Sequence, residues 1–310
     1  MLKKRILSSA ILLSIFIISF FEIYIHNSSY FFSLILIVGF VLIYELGKIL
    51  KLSDFSLLIY WILSSAPIIF FFCIVLISKN DYLLNIDIRM INMNFDYHSF
   101  ARMQFLLDKF ATQFAVFMGI VSTIFWIIIV PLDLYFKNIS SNHKFKIFYG
   151  YFLISPMIII TAAIFVEDRS PLFALFLLIW IADIGAYFFG KLFGKTKLAK
   201  TISPGKTVEG ALGGLFTNLL FVFVLFLLFG YEYRDQEGFA LRVILIFSAV
   251  IVITVLSIFG DIYESFLKRQ AGVKDSGRII PGHGGLLDRL DGFCPTIPLY
   301  FMMAFALTNL

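Results

Sequence analysis

Charged residues are scarce in this chain of 310 residues, where they make up 15% of the sequence. Soluble domains carry about 25% charged and about 45–50% apolar residues, whereas 60% of this sequence is hydrophobic. The composition therefore excludes an ordinary soluble globular domain. Because apolar windows of helix-spanning length recur along the chain, we predict an all-α, polytopic integral membrane helix bundle.

Cysteine is also nearly absent, since Cys73 and Cys294 are the only two. Both lie among apolar residues, and neither belongs to a CxxC spacing. The sequence therefore offers no disulfide framework and no cysteine-based metal site. We expect both thiols to be buried packing residues.

No A-x-A-like cleavage site follows the basic start MLKKR and the apolar run 6–25. That run is close to membrane-spanning length, whereas the apolar region of a secretory signal has about 7–15 residues. We therefore expect it to be the first span.

Nine apolar windows have the length of about 17–25 residues that a spanning helix needs. They lie at residues 6–25, 31–50, 55–77, 114–134, 147–166, 172–189, 208–229, 239–259 and 293–310. We divide the chain into an N-terminal transmembrane region, 1–146, and a C-terminal transmembrane catalytic region, 147–310. The long connection 78–113 contains the amphipathic stretch MQFLLDKFATQF, which we expect on the membrane surface or packed over the bundle.

Lysine and arginine are distributed unevenly between the two sides of these spans. With the N-terminus inside, the inner segments hold 18 of the 25 basic residues, an excess typical of cytoplasmic loops. We predict a cytoplasmic N-terminus and an outer C-terminus in the cytoplasmic (inner) membrane. The net charge of +5 then reflects these loops and indicates no nucleic-acid partner. The two most basic loops, 190–207 and 260–292, would face the cytoplasm, where nucleotides are.

Segment 260–292 is far more polar than the chain around it, with four aspartates, one glutamate, five basic residues and a histidine. Lying between two apolar spans, it must sit at a membrane surface or line a wet cavity. A helix that leaves the eighth span would present one face made of Asp261, Glu264, Ser265 and Lys268. A solvated, self-paired helical turn is the simpler alternative for that face.

The same segment carries Lys274 and Asp275, a glycine-rich run around His283, and the pair Asp288 and Asp291. Clustered carboxylates without His or Cys ligand spacing suit Mg²⁺, which takes one or two carboxylates together with phosphate oxygens. The interleaved basic residues would hold further phosphate charge. The residues alone therefore indicate a Mg²⁺-dependent phosphoryl- or nucleotidyl-transfer enzyme at the membrane. A structural role for His283 is as consistent with the sequence as a catalytic one.

Two further polar features lie upstream. Asp183 stands inside the apolar run WIADIGAYFFGK, where an aspartate is costly unless it faces protein or water. It either bonds a neighbouring helix or faces the cavity of segment 260–292. The loop KTISPGKTVEG, 200–210, has Lys200 where a Walker A motif requires glycine. Such a loop can still bind phosphate ahead of a helix N-terminus, although ordinary positive-inside lysines explain much of its charge.

These residues resemble the signature of the phosphatidate cytidylyltransferase (CDP-diacylglycerol synthase) family. The signature S-x-x-K-R-x4-K-D, followed by H-G-G-x-x-D-R-x-D, matches Ser265 through Asp291. SPGKTVEG and ADIGAYFFGK resemble two further elements of that family, in the expected order. The resemblance covers roughly residue 183 to the C-terminus, whereas the first 150 residues match only as a polytopic apolar region. Gly292 and Cys294 are a minor departure, because more polar residues are common there.

The resemblance implies that CTP and phosphatidate give CDP-diacylglycerol and pyrophosphate in phospholipid biosynthesis, with Mg²⁺, by in-line attack of the lipid phosphate on the α-phosphorus. On this basis we assign the metal site to Asp183, Asp261, Asp275, Asp288 and Asp291. The catalytic candidates are Lys206, Ser265, Lys268, Arg269, Lys274, His283 and Arg289. The nucleotide-binding candidates are Ser203, Lys206 and Thr207. A second, monovalent cation and a homodimer through small-residue helix faces stay open.

Two other functions remain as alternatives. A CTP-dependent polyprenol or lipid kinase would move the γ-phosphoryl group to an alcohol and release CDP. An ion-coupled transporter would depend mainly on Asp183, because Glu45 and Asp133 lie nearer their span ends. The concentration of charge at one face and the lack of paired broken helices disfavour the transporter. The sequence leaves open the acyl-chain preference and the choice between CTP and dCTP.

Overall fold

A computed structural model describes residues 2–21, 29–78, 97–136, 142–229, 238–282 and 284–308. Nearly all of these residues are helical. The helices are α1 (Leu2–Phe21), α2 (Ser29–Leu50), α3 (Asp54–Ser78), α4 (Tyr97–Ile124), α5 (Val130–Phe136), α6 (His143–Lys146), α7 (Tyr149–Leu153), α8 (Ser155–Glu167), α9 (Arg169–Phe193), α10 (Val208–Phe229), α11 (Phe239–Gln270), α12 (Leu287–Leu290) and α13 (Phe293–Thr308).

Eight helical segments within the described ranges are long and apolar enough to cross a membrane. They correspond to the second through ninth predicted spans, so the prediction of a polytopic helical membrane protein is confirmed. The first predicted span corresponds to α1, whose apolar part, Ala10–Phe21, is shorter. Residues 22–25 of that span lie outside the described residues.

The described part of the connection 78–113, from Tyr97 onward, belongs to a long helix and is not a separate amphipathic element. The stretch MQFLLDKFATQF belongs to α4, which continues through a π-helical turn, Phe125–Ile129, into α5. The fourth span is therefore the second half of one long helical rod. Residues 79–96 lie outside the part of the chain that the structure describes.

The core is centred on α8, in which every residue from 155 to 162 is buried. Pro156 has no N–H to donate to the Phe152 carbonyl, so the helical hydrogen bonds are interrupted there and the fifth predicted span is divided into α7 and α8. Cys294 is buried against Met157, as predicted. The prediction for Cys73 was wrong, because its face of α3 points out of the bundle and the thiol is exposed.

The polar loop between α9 and α10 contains a two-stranded antiparallel hairpin that was not predicted from the sequence. Its strands are β1 (Lys197–Ala199) and β2 (Ser203–Thr207). Glu209, in the first turn of α10, accepts hydrogen bonds from the backbone N–H groups of Lys195 and Thr196 at 3.1 Å. These bonds fix the hairpin against the N-terminus of α10.

Helices α9 and α10 pack closely through small residues, among them Gly210 and Gly214. A Cβ atom on Gly214 would lie 2.7 Å from the Ala182 carbonyl oxygen, and one on Gly210 would lie 2.8 Å from that of Ala186. Only glycine permits this approach. The contact places Asp183, on α9, beside the hairpin end of α10.

Candidate active site

The polar segments of the C-terminal region meet at a cavity of about 1240 Å³. Apolar side chains from α1, α2 and α9, among them Phe16, Ile35 and Trp180, line one part of it. Charged side chains line the other part: Asp183, Lys191, Lys206, Asp261, Lys268, Asp288, Arg289 and Asp291. The cavity therefore joins an apolar wall to a charged wall, and Thr207 also lines it.

Helix α11 extends past its apolar portion to Gln270, so the predicted polar face lies on one helix. Ser265 Oγ donates to Asp261 Oδ1 at 3.3 Å. One turn further on, Lys268 forms an ion pair with Glu264. The self-paired alternative therefore describes part of this face, while Asp261 and Lys268 also reach the cavity.

The carboxylate of Asp288 is surrounded by donors. Its Oδ1 accepts from Lys268 Nζ at 2.6 Å, and the backbone N–H of Ser276 donates to Oδ1 and Oδ2 at 3.1 and 3.0 Å. The N–H of Gly285 donates to Oδ2 at 2.9 Å. Because hydrogen bonds to ionised groups are strong, this arrangement fixes Asp288 between α11 and the loop 271–286.

The loop before α12 needs glycine at two points. Gly282 and Gly284 have φ angles of 81° and 88°, a region that other residues rarely adopt. A Cβ atom on Gly284 would also lie 2.8 Å from Asp288 Oδ2. The glycine-rich run thus lets the backbone turn tightly around the Asp288 carboxylate.

Lys206 projects from β2 into the cavity. Its Nζ forms an ion pair with Asp261 and donates to the Ile258 carbonyl at 3.5 Å. The side chains of the pair are 22% and 39% exposed. The hairpin therefore places the Lys206 side chain at the cavity, where a ligand can reach it.

Asp183 and Asp291 face the same charged wall. Asp183 lies within electrostatic range of Asp261, Lys206 and Arg289. Asp291 accepts from the N–H of Gly292 at 2.7 Å and lies within electrostatic range of Asp261 and Lys206. Of the two predictions for Asp183, the structure favours the cavity-facing one.

Five predicted site residues in the described ranges do not line this cavity: Ser203, Ser265, Arg269, Lys274 and Asp275. Arg269 Nε donates to the Ile202 carbonyl at 3.1 Å, which ties the end of α11 to the hairpin turn. Ser203 is half-buried in β2, and Lys274 and Asp275 are exposed in the loop after α11. His283 lies outside the described residues.

Two buried polar residues beside the site were not assigned to it from the sequence. Glu45, on α2, accepts at Oε2 from Ser276 Oγ at 3.1 Å and from the N–H of Leu287 at 2.8 Å. The only signal for Glu45 was a glutamate inside the apolar window 31–50, and Ser276 had no signal beyond its place in segment 260–292.

The carboxylates fit a magnesium ion that binds together with a phosphate. No three His, Cys, Asp or Glu side chains of the described ranges converge closely enough to form a metal site by themselves. However, Asp183, Asp261 and Asp291 share one cavity wall, and Mg²⁺ usually takes only one or two carboxylates, with water and substrate phosphate completing its shell. The donor set is therefore compatible with that ion.

The family model described as the cytidylyltransferase family matches residues 3–307 of the chain. The phosphatidate cytidylyltransferase of Staphylococcus haemolyticus (strain JCSC1435) is 47% identical over 124 residues, which cover 40% of this chain and 45% of that protein. The protein of the same name from Haemophilus influenzae (strain ATCC 51907 / DSM 11121 / KW20 / Rd) is 45% identical over 126 residues, covering 40% and 42%. That of Staphylococcus aureus (strain COL) is 45% identical over 140 residues, covering 44% and 50%. The chain thus spans half or less of the length of these relatives.

Proposed function

The chain belongs to the cytidylyltransferase family, and on that basis we propose that it transfers CMP from CTP to phosphatidate, giving CDP-diacylglycerol and pyrophosphate. The relatives named phosphatidate cytidylyltransferase support this choice of substrates. The observation that carries the proposal is the cavity whose apolar wall adjoins a charged wall.

The two walls of the cavity suit the two substrates. The apolar side chains of α1, α2 and α9 are compatible with acyl chains that arrive from the bilayer. The basic side chains Lys206, Lys268 and Arg289 lie where phosphate groups of the lipid and the nucleotide would meet. A water-soluble nucleotide and a lipid can therefore reach one site from different directions.

In the reaction, a phosphate oxygen of phosphatidate attacks the α-phosphorus of CTP. A new P–O bond forms while the bond from the α-phosphorus to the oxygen bridging to the β-phosphorus breaks, and its electron pair leaves with pyrophosphate. The chain needs to supply no nucleophile. Its task is to position two anions and to neutralise their charge, which is the main source of catalysis in such transfers.

The two lysines would serve this task differently. Lys268 is fixed between Glu264 and Asp288, so its charge is preorganised for a phosphate oxygen. Lys206 is more accessible. Among the carboxylates that the structure describes, only that of Asp261 lies within ion-pair distance of it. It can exchange this partner for the triphosphate of CTP.

We further propose that Mg²⁺ is held by carboxylates of the charged wall, Asp183, Asp261, Asp288 and Asp291. Asp275, which is exposed, is a further candidate ligand, because a Cβ atom on Gly284 would lie 2.8 Å from Asp288 Oδ2 and 3.6 Å from the carboxyl carbon of Asp275. When bound, the ion would neutralise phosphate charge. We also propose that the cavity faces the cytoplasm from the inner membrane, because 18 of the 25 basic residues fall on the side of these loops.

The test uses purified protein in detergent with lipid, phosphatidate, Mg²⁺ and CTP labelled at the α-phosphorus. We expect label in the chloroform phase, release of pyrophosphate and loss of both with EDTA. Label that stays aqueous as CDP, with phosphorylation of an added lipid alcohol, would identify a lipid kinase instead. If no lipid supports CTP turnover, both the cytidylyltransferase and the kinase hypotheses are wrong, and the ion-coupled transporter becomes the favoured hypothesis.

A further inference from the structure

Glu45 is a buried carboxylate in the N-terminal region, far in sequence from the signature residues. It lies in α2 and is 1% exposed. Burial of a carboxylate is unfavourable unless hydrogen bonds compensate it. Its partners therefore indicate why a glutamate stands inside this apolar helix.

Both hydrogen-bond partners of Glu45 belong to the polar segment of the site. Oε2 accepts from Ser276 Oγ at 3.1 Å and from the N–H of Leu287 at 2.8 Å. Glycines make room for this contact: a Cβ atom on Gly285 would lie 2.6 Å from Glu45 Oε2, and one on Gly277 would overlap Oε1. The loop is thus shaped around the Glu45 side chain.

The same two partners lead directly to the Asp288 carboxylate. The N–H of Ser276 donates to both carboxylate oxygens, while Ser276 Oγ accepts from the N–H of Asp288 at 3.3 Å. Leu287 is the residue before Asp288 in α12. Asp288 in turn bonds Lys268 at 2.6 Å. A continuous set of hydrogen bonds therefore joins α2, the loop 271–286, α12 and α11.

We propose that Glu45 is a positioning residue, which holds Ser276 and the start of α12 so that Asp288 and Lys268 keep their places in the charged wall. The catalytic part of this inference rests on the proposed function. Its hydrogen bonds to Ser276 and Leu287 connect Glu45 to the site through the loop and α12. Residues that orient a site in this way typically contribute about 10–100-fold to metal affinity or activity.

The first test compares Glu45→Gln with Glu45→Leu. Glutamine keeps an acceptor oxygen for Ser276 and Leu287, whereas leucine leaves both donors unpaired. We expect Glu45→Leu to lower kcat by about 10–100-fold with a smaller change in the KM for CTP, and Glu45→Gln to retain most of the turnover. The matched control is Glu167→Leu, at the exposed end of α8, which should behave as wild type.

A second measurement does not depend on catalysis. Arg278 is exposed in the loop that Glu45 holds, and Lys200 is exposed in the hairpin turn. Limited trypsin digestion in detergent, followed by mass spectrometry, reports cleavage after each. We expect Glu45→Leu to speed cleavage after Arg278 several-fold relative to cleavage after Lys200, and Glu45→Gln to leave the ratio near its wild-type value.

The two measurements separate the two proposals. If the wild-type protein shows no nucleotidyl transfer, the proposed function is wrong. The ratio of cleavage after Arg278 to cleavage after Lys200 would still test the Glu45 contact. Unchanged kcat and an unchanged digestion ratio in Glu45→Leu would overturn the positioning role. If Glu45→Leu does not fold, Ser276→Ala replaces it, because this change removes one of the two donors without altering α2. The same rise in the ratio would support the role, and wild-type values would refute it.

Discussion

Two lysine–aspartate pairs stand in the same charged wall but in different surroundings. Lys268 and Asp288 have side chains only 10% exposed, and each has further polar partners. Lys206 and Asp261 have side chains 22% and 39% exposed. The first pair is part of a framework that includes Glu45, whereas the second can open toward a ligand.

The comparison predicts different costs for breaking each pair. Removal of one partner of a buried ion pair leaves an uncompensated charge, which typically costs about 3–5 kcal/mol, whereas exposed pairs contribute about 0–1 kcal/mol. The buried pair should therefore govern folding as well as activity, and the open pair should govern activity alone.

The largest effect is expected for Lys268→Met. Both Asp288 and Glu264 lose their cation, so we expect a loss of about 3–5 kcal/mol in the free energy of unfolding together with loss of transfer. Thermal unfolding in detergent and the α-label assay measure the two. If the free energy of unfolding of this variant equals that of the wild type, the pair of Lys268 and Asp288 does not stabilise the fold.

The next effect is expected for Gly285→Ala. The added Cβ would overlap Ser276 Oγ and lie 2.7 Å from the backbone nitrogen of Gly277, so the loop around Asp288 must shift. Displacement of a site by about 1 Å can cost about 100-fold in rate, and we expect a loss of that size. Gly205→Ala in β2 is the matched control, because a Cβ there meets nothing within 4 Å. Equal activity of the two variants would contradict the close packing.

A smaller effect, confined to catalysis, is expected for Lys206→Met. The free energy of unfolding should change by about 1 kcal/mol or less. Loss of a hydrogen bond from a charged donor to substrate phosphate should reduce kcat/KM for CTP by about 10–100-fold. Steady-state kinetics at several CTP concentrations distinguish a higher KM from a lower kcat. Wild-type kinetics in this variant would show that Lys206 does not bind substrate and is an ordinary lysine of a cytoplasmic loop.

The smallest effect is expected for Asp168→Ala, which lies outside the site and serves as a reference. Asp168 caps α9 by accepting from the N–H of Ser170 at 2.8 Å, and this bond lowers the pKa of Asp168. Its charge-dependent stabilisation is present above the ordinary carboxyl pKa and is lost as pH falls through the lowered one. We expect a slightly lower unfolding temperature at neutral pH, a smaller difference in acid, and unchanged transfer. A change in transfer at neutral pH would mean that capping of α9 reaches the site.

The helices were predictable because membrane spans depend on local composition. The windows 31–50 and 208–229 differ from α2 and α10 by at most two residues at either end, since apolar length alone determines them. The shared helical face of Asp261 and Lys268 was equally predictable from the sequence, because residues seven apart lie on the same face of an α-helix. The hairpin was not predictable, because its strands are short and because it is held by hydrogen bonds to Glu209, in the first turn of α10.

The sequence by itself determined the membrane class, the spans and the chemical types gathered in segment 260–292, because each depends on residues that are close along the chain. Only the tertiary structure decided that Lys206 pairs with Asp261, that Asp183 faces the same cavity, and that Glu45 holds Ser276, 231 residues away. These contacts depend on how α2, α9 and α11 pack against one another. A glutamate inside an apolar window does not by itself indicate which loop it will contact in the folded protein.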